Sequence, residues 1–217
     1  MSKPDNWTRD KELAALQAHV RACRRCLEGG HAITPGAVFS GPVTATVMIV
    51  GQAPGSTEAQ VGRPFNGPAG RRLFRWLAQA GWEEAVFRAT QYMTAVTRCY
   101  PGKGSGGQGD RVPTRAEQEM CAPYLAHELA LVRPRVIVPV GGLAVRRFLG
   151  PLQLAEVVGE AIRDEEGHWI VPLPHPSGAS LWLNRPENQK RVAQALAHLR
   201  RMWQEGREGR EKDSTPL

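Results

Sequence analysis

The sequence predicts an α/β protein, a three-layer α/β/α sandwich around a four-stranded, mostly parallel central sheet. Short apolar runs bounded by turn residues alternate with longer segments of helical apolar spacing, the pattern of a parallel sheet covered on both faces. The chain has 217 residues, 41% of them hydrophobic, which suits one large domain with a packed core. We assign residues 1–204 to that domain and the charged end, 205–217 "EGREGREKDSTPL", to a disordered tail.

The elements follow in order. Leu13, Leu16 and Val20 keep helical spacing in an N-terminal segment that ends near "CRRC". After a loop, "TATVMIV" (44–50) reads as a buried strand, and "GQAPG" begins a loop rich in Gly and Pro. "PAGRRLFRWLAQAGW" places Leu73, Trp76, Leu77 and Ala80 on one helical face, with Pro68 at its start and Gly81 near its end. "TQYMTAVTRC" (90–99) reads as a second strand, and "GKGSGGQGD" (102–110) as a flexible loop. Thr114 and Glu117 have capping-box spacing before the next helix. "RVIVPVG" (135–141) is a third strand, a short helix runs through "LAVRRFL", and "HWIVPLP" (168–174) is a fourth strand leading into "HPSGAS". "PENQKRVAQALAHLRRMW" (186–203) closes the fold as a helix. Ligands of such sheets bind at the carboxyl ends of the strands. Gly51–Gly55, Cys99 and His175 all follow strands, so they can converge on one edge.

The formal charge is +7 with a pI near 9.7, and lysine occurs only at positions 3, 11, 103, 190 and 212, so arginine supplies most of the positive charge. The guanidinium fork suits phosphate, and a basic domain attracts nucleic acid. A GC-rich genome raises arginine in the same way, so charge alone leaves both readings open. No run of eighteen apolar residues occurs, and "MSKPDNWTRDKEL" lacks a signal-peptide core. The expectation is a soluble, cytoplasmic protein with no membrane partner.

The four cysteines are Cys23, Cys26, Cys99 and Cys121. Cys23-Arg-Arg-Cys26 has the spacing that lets two thiolates reach one metal centre. Four cysteines with none to spare, in a reducing compartment, favour a metal site over disulfides. A redox-active Cys-x-x-Cys with two incidental thiols is the competing reading. Zinc and a [4Fe–4S] cluster both accept four thiolates, and spacing does not separate them. The neighbours Arg21, Arg24, Arg25 and Arg98 would offset thiolate charge or grip phosphates.

Together these motifs resemble the uracil-DNA glycosylase superfamily, and most closely its iron–sulfur branch, family four. The resemblance rests on Gly51-Gln52-Ala53-Pro54-Gly55, on Gly62-Arg63-Pro64-Phe65 with Gly67 and Ala69-Gly70, on the order and context of the four cysteines, and on His175-Pro176-Ser177. It runs from about Cys23 to the closing helix. It implies a [4Fe–4S] cluster of structural use on Cys23, Cys26, Cys99 and Cys121, and hydrolysis of the C1′–N1 bond of deoxyuridine in DNA. In that reading the backbone of Gly51, Ala53, Pro54 and Gly55 presses on the sugar and the extruded base, Phe65 stacks, and Ser177 lies beside the catalytic His175. His175 donates a hydrogen bond to charge developing on the pyrimidine O2.

Three positions depart from the family pattern. Gln52 stands where the branch usually carries Glu; an amide orients water but is a poor base. Glu58 is the remaining carboxylate of this loop and is the second candidate for the water. On the second strand, Ala95 or, with a slip of one residue, Thr94 stands where an asparagine usually reads uracil. Asn66 is the candidate substitute for it. The apolar wedge that fills the gap left by a flipped base is Ala179 by position, with Leu181 and Trp182 beyond. A small wedge favours single-stranded or mispaired substrates, which are cheaper to open.

The expectation is therefore a monomeric DNA glycosylase that removes uracil and other deaminated bases to start base-excision repair. A non-catalytic module of the same fold, binding damaged or single-stranded DNA, is the second reading. A nucleotide-binding enzyme using "GQAPG" as a phosphate loop ranks last, because the loop lacks the Lys-Ser/Thr ending.

Overall fold

The computed structural model describes residues 3–104, 106, 109–177 and 181–213. Its sheet has the order β2-β1-β3-β5-β4, with β1 Val47–Gly51, β2 Tyr92–Ala95, β3 Val136–Pro139, β4 Ile162–Arg163 and β5 Trp169–Ile170. The pairs β1·β2, β1·β3 and β3·β5 are parallel, and β4 pairs antiparallel with β5. The sheet thus has five strands where the sequence predicts four. The additional one, β4, is a two-residue edge strand, too short to leave a period-two signature.

Alternation along β1 sorts the core into two layers. Val47 and Ile49 face one side with Met93, Val136 and Val138. There they meet Leu73, Phe74 and Leu77 of α4 (Pro68–Gln79) and Val192, Leu196 and Leu199 of α9 (Pro186–Asp213). Met48 and Val50 face the other side with Tyr92 and Ile137. Leu13, Leu16 and Val20 of α1 (Lys3–Ala22), Tyr124 and Leu125 of α6 (Arg115–Val132) and Leu143 of α7 (Gly142–Leu149) cover that face. Every residue of β1 is buried, as the central position of a sheet covered on both faces requires.

Several boundaries differ from the sequence reading. The second strand covers Tyr92–Ala95 rather than 90–99. The fourth shrinks to Trp169–Ile170, although Leu173 N–H still donates to Pro139 O (2.9 Å); Pro172 and Pro174 supply no N–H to extend it. Helices α2 (Arg25–Glu28), α3 (Ser56–Val61), α5 (Glu84–Thr90) and α8 (Leu154–Val157) fall in stretches to which the sequence reading assigns no helix of their own. All four have seven residues or fewer with no long apolar stripe, and Gly55 and Gly62 flank α3. Helix α9 is described to Asp213. The Thr114–Glu117 capping box forms as its spacing predicts, with Glu117 N–H to Thr114 Oγ1 at 3.3 Å and Thr114 N–H to Glu117 Oε2 at 2.7 Å. No helix among the described residues is long and apolar enough to cross a membrane.

Candidate active site and cysteine cavity

A cleft of about 1300 Å³ opens at the carboxyl ends of β1 and β2. Gly51, Gln52, Ala53, Pro54, Gly55 and Glu58 form one wall, and Phe65, Thr94, Ala95, His175 and Ser177 complete it. Of the residues nominated for catalysis or substrate from the sequence, Asn66 alone does not line it; its backbone N–H donates to Glu58 Oε1 (2.8 Å). Cys99 belongs to an adjoining cavity, and Pro101 borders both. The convergence expected for Gly51–Gly55, Cys99 and His175 therefore holds for the loop and the histidine, while Cys99 lines the adjoining cavity.

The loop after β1 is fixed by its backbone. Val96 N–H donates to Gly51 O (2.9 Å) and Thr97 N–H to Gln52 O (3.2 Å), which leaves the Gln52 side chain on the cleft wall. The Phe65 ring lies against Gly51, its Cζ 3.1 Å from the point a Cβ there would occupy. Any larger residue at position 51 would push the ring away. Phe65 itself has φ +50°, an uncommon conformation for a bulky residue. Two sets of bonds hold it. Arg88 Nη1 and Nη2 donate to Pro64 O (2.8 Å) and Phe65 O (2.9 Å), and Glu58 Oε1 accepts from Asn66 N–H (2.8 Å) and Gly67 N–H (2.7 Å). Glu58 is thereby a brace for this turn, which a sequence reading of it as a free carboxylate misses. Arg88→Ala should lower the unfolding free energy by roughly 1–3 kcal/mol, as buried carbonyls lose their donor. Urea denaturation checks this; an unchanged midpoint would show that the turn holds without the clamp.

His175 is carried by the segment after β5. Gly141, at φ +88°, lets the chain pass beside it: a Cβ there would meet His175 Cβ at 3.3 Å. The ring is open to the cleft, and desolvation by the surrounding wall lowers its pKa, which favours the neutral imidazole. Its Nδ1 accepts from Ser177 N–H (3.3 Å). The proton therefore sits on Nε2, making that atom a hydrogen-bond donor. Arg71, Arg72 and Arg75 of α4 line the same cleft, and Arg72 Nη1 donates to Ser177 O (3.4 Å).

Neither candidate for the missing asparagine on β2 has an amide. Ala95 offers a methyl group. The Thr94 hydroxyl donates to Glu128 Oε2 (3.0 Å), which also accepts from Arg98 Nη2 (2.6 Å); both partners of that ion pair are almost wholly buried. The Thr94 hydroxyl is engaged toward α6. Sequence reasoning missed this network because Glu128 lies far along the chain.

All four cysteines line one small, mostly apolar cavity with Thr97, Arg98, Glu117 and Tyr124. Cys23 follows α1, Cys26 lies in α2, Cys99 follows β2 and Cys121 is in α6. All are free thiols. Tyr124 Oη lies 3.4 Å from Cys23 Sγ. Arg111 Nη1 and Nη2 grip Glu117 at 2.8 and 2.6 Å, fixing the start of α6 beside the cavity. Burial first, and then the negative field of Cys121 and the other thiols, push Cys26 and Cys99 up to about 11. Such thiols stay protonated at neutral pH until a cation displaces the proton. Among the described residues no group of three or more His, Cys, Asp or Glu side chains converges at the spacing of a single metal ion.

A mostly parallel α/β/α sandwich thus brings a Gly-rich loop, a left-handed aromatic turn and a donor histidine around one strand-end cleft. The chain belongs to the uracil DNA glycosylase superfamily, whose family model it matches over residues 38–200. It is 33% identical over 139 residues to the Type-4 uracil-DNA glycosylase of Pyrobaculum aerophilum, covering 64% of this chain and 65% of that one. To the Type-4 uracil-DNA glycosylase of Thermotoga maritima it is 29% identical over 191 residues, covering 86% and 91%. To that of Sulfurisphaera tokodaii it is 30% identical over 177 residues, covering 77% and 75%.

Proposed function

We propose that this protein hydrolyses the N-glycosidic bond of uracil in DNA and so opens base-excision repair, as the names of its relatives indicate for them. The observation that carries the reading is the neutral His175 with its Nε2–H directed by the Ser177 contact, set on the cleft opposite the Gly51–Gly55 backbone. As the C1′–N1 bond breaks, the sugar gains positive charge and the base becomes an anion. A preorganised donor at the pyrimidine O2 stabilises that anion. Phe65 supplies the stacking face, and the loop backbone presses on the sugar. Arg71, Arg72 and Arg75 suit the flanking phosphates. With Ala95 in place of an amide and the Thr94 hydroxyl engaged elsewhere, base reading is relaxed by about 1–3 kcal/mol, so other deaminated bases come within range.

Four thiols in one cavity fit a [4Fe–4S] cluster, which would be held by Cys23, Cys26, Cys99 and Cys121. Four thiolates suit either a [4Fe–4S] cluster or zinc, and the Type-4 names of the relatives support the cluster. When bound, the cluster supplies a charged structural tie between α1, α2, the segment after β2 and α6. We propose that the protein acts in the cytoplasm as a monomer.

The wedge follows from exposure. Ala179 lies outside the described residues. Trp182 packs against the core and its carbonyl accepts from Asn188 Nδ2 (2.8 Å). Leu181 is 78% exposed at the head of a 3-10 turn, Leu181–Asn184, just after the His-Pro-Ser segment. We assign insertion to Leu181. Leu181→Ala should slow base release from paired duplex by roughly tenfold, about 1.4 kcal/mol of the flipping cost, and leave the rate on single-stranded DNA unchanged. An equal loss on both substrates would place Leu181 in the pocket rather than the stack.

Gln52 and Ala95 favour one other reading, a non-catalytic module that binds damaged or single-stranded DNA. Both readings predict salt-sensitive DNA binding. Abasic sites in the product, revealed by alkaline strand cleavage of a uracil oligonucleotide, belong only to the enzyme.

A further inference from the structure

Gln52 can orient water but is a poor base, so the cleft needs an anionic group to take the proton of the attacking water and face the cationic sugar. The carboxylates lining it are Glu58, Glu83, Glu84 and Asp110. Glu84 pairs with Arg88 at 2.8 Å. Glu83 flanks it at the N-terminus of α5. Glu58 Oε1 braces the Phe65 turn through two backbone N–H groups.

Asp110 is different. It lies on the segment between Cys99 and Cys121, and its Oδ1 is anchored by Tyr100 Oη (2.9 Å) and Lys103 Nζ (3.3 Å). Its Oδ2 stands over the last residue of the Gly51–Gly55 loop, 3.0 Å from the point a Cβ on Gly55 would occupy. Glu58 Oε2 approaches the same point from α3, at 2.7 Å. A side chain at position 55 would displace both oxygens; glycine lets the two carboxylates close on the loop backbone. The following residue, Arg111, turns away to Glu117. The charged and titratable groups facing Asp110 are therefore Lys103 and Tyr100 at Oδ1 and Glu58 across Gly55.

We propose that Asp110 is the carboxylate that holds the attacking water and takes its proton, the base role that Gln52 cannot fill. The assignment rests on the glycosylase reading above. The C1′–N1 bond breaks with its electron pair leaving on the base, whose anion His175 Nε2–H stabilises. A lone pair of water then forms the new bond to C1′, and the proton released by that water passes to Asp110 Oδ2 and on to solvent. The base anion takes up one proton, so water is divided between the abasic sugar and the free base. The negative charge of Asp110 also favours the oxocarbenium-like sugar that precedes attack.

The test is the single-turnover rate of base release from a single-stranded oligonucleotide carrying one uracil, measured against pH for the wild-type protein, Asp110→Asn and Tyr100→Phe. DNA affinity is measured by anisotropy alongside. Asparagine still accepts from Tyr100, so Asp110→Asn keeps the anchor and removes the charge. The expected result is a loss of about 10²-fold in rate for Asp110→Asn, with DNA affinity retained. The acid limb of the wild-type pH profile should disappear in this variant, and Tyr100→Phe should keep most of the activity. A wild-type rate in Asp110→Asn would overturn the assignment, as would equal losses in the two variants with the acid limb intact, which is the signature of anchoring alone. A wild-type protein that releases no base would overturn the glycosylase reading and this assignment together.

Discussion

Replacing His175 with alanine should reduce the single-turnover rate of base release by about 10²–10³-fold, while DNA affinity changes little. The asymmetry follows from geometry. Desolvation by the cleft wall favours the neutral ring, and Nδ1 is occupied by Ser177 N–H. Only Nε2–H is left to interact with substrate, and its partner acquires full charge only as the glycosidic bond breaks. An interaction that strengthens in the transition state appears in the rate rather than in the binding constant. A histidine that merely capped the segment would instead, on removal, weaken binding or lower stability. Parallel measurement of Kd by anisotropy and of the rate by rapid quench separates the two. Equal losses in both would assign His175 to binding.

The second large effect is expected at Cys121. Its thiol is buried in α6, at the wall of the cavity shared with Cys23, Cys26 and Cys99. Cys121→Ser keeps the volume but substitutes a poor ligand. The purified variant should lack bound iron and the visible absorbance of a cluster, and should unfold at a markedly lower temperature. The reason lies in the connectivity. The cavity joins the end of α1, the short α2, the segment after β2 and the first turns of α6, and α2 buries no residue of its own. Without the tie, little holds α2 in place beyond bonds such as Arg25 Nη1 to Met120 O (3.2 Å). Iron analysis, with absorbance, reads occupancy directly. A full complement of iron in Cys121→Ser would show that the fourth ligand lies elsewhere.

Much of this was legible in the sequence because the signals are local. The apolar runs of β1 and β3, the Pro68 start of α4 and the Thr114–Glu117 capping box each depend on residues close in the chain, and each forms near its predicted place. The Gly-Gln-Ala-Pro-Gly loop and His175 also meet as expected, because both follow strands of one parallel sheet. What was illegible depends on partners far apart in sequence. That Glu58 braces Asn66 and Gly67 rather than standing free is set by the fold of the Phe65 turn. The engagement of Thr94 by Glu128 needs α6 packed on β2. Asp110 stood in a stretch read only as a flexible loop, and its significance appears once Tyr100 and Gly55 are seen beside it. Short elements such as α3, α5 and β4 carry too few residues for their period to show.

The most direct test of the central claim is the quantification of both products, free base and abasic DNA, after incubating the purified protein with a single-stranded oligonucleotide containing one uracil. Hydrolysis at C1′ predicts free uracil by mass spectrometry in equal amount to alkali-labile sites, with both lost in His175→Ala. Intact uracil DNA recovered from a tight, salt-sensitive complex would contradict it and identify the protein as a binding module built on a glycosylase fold.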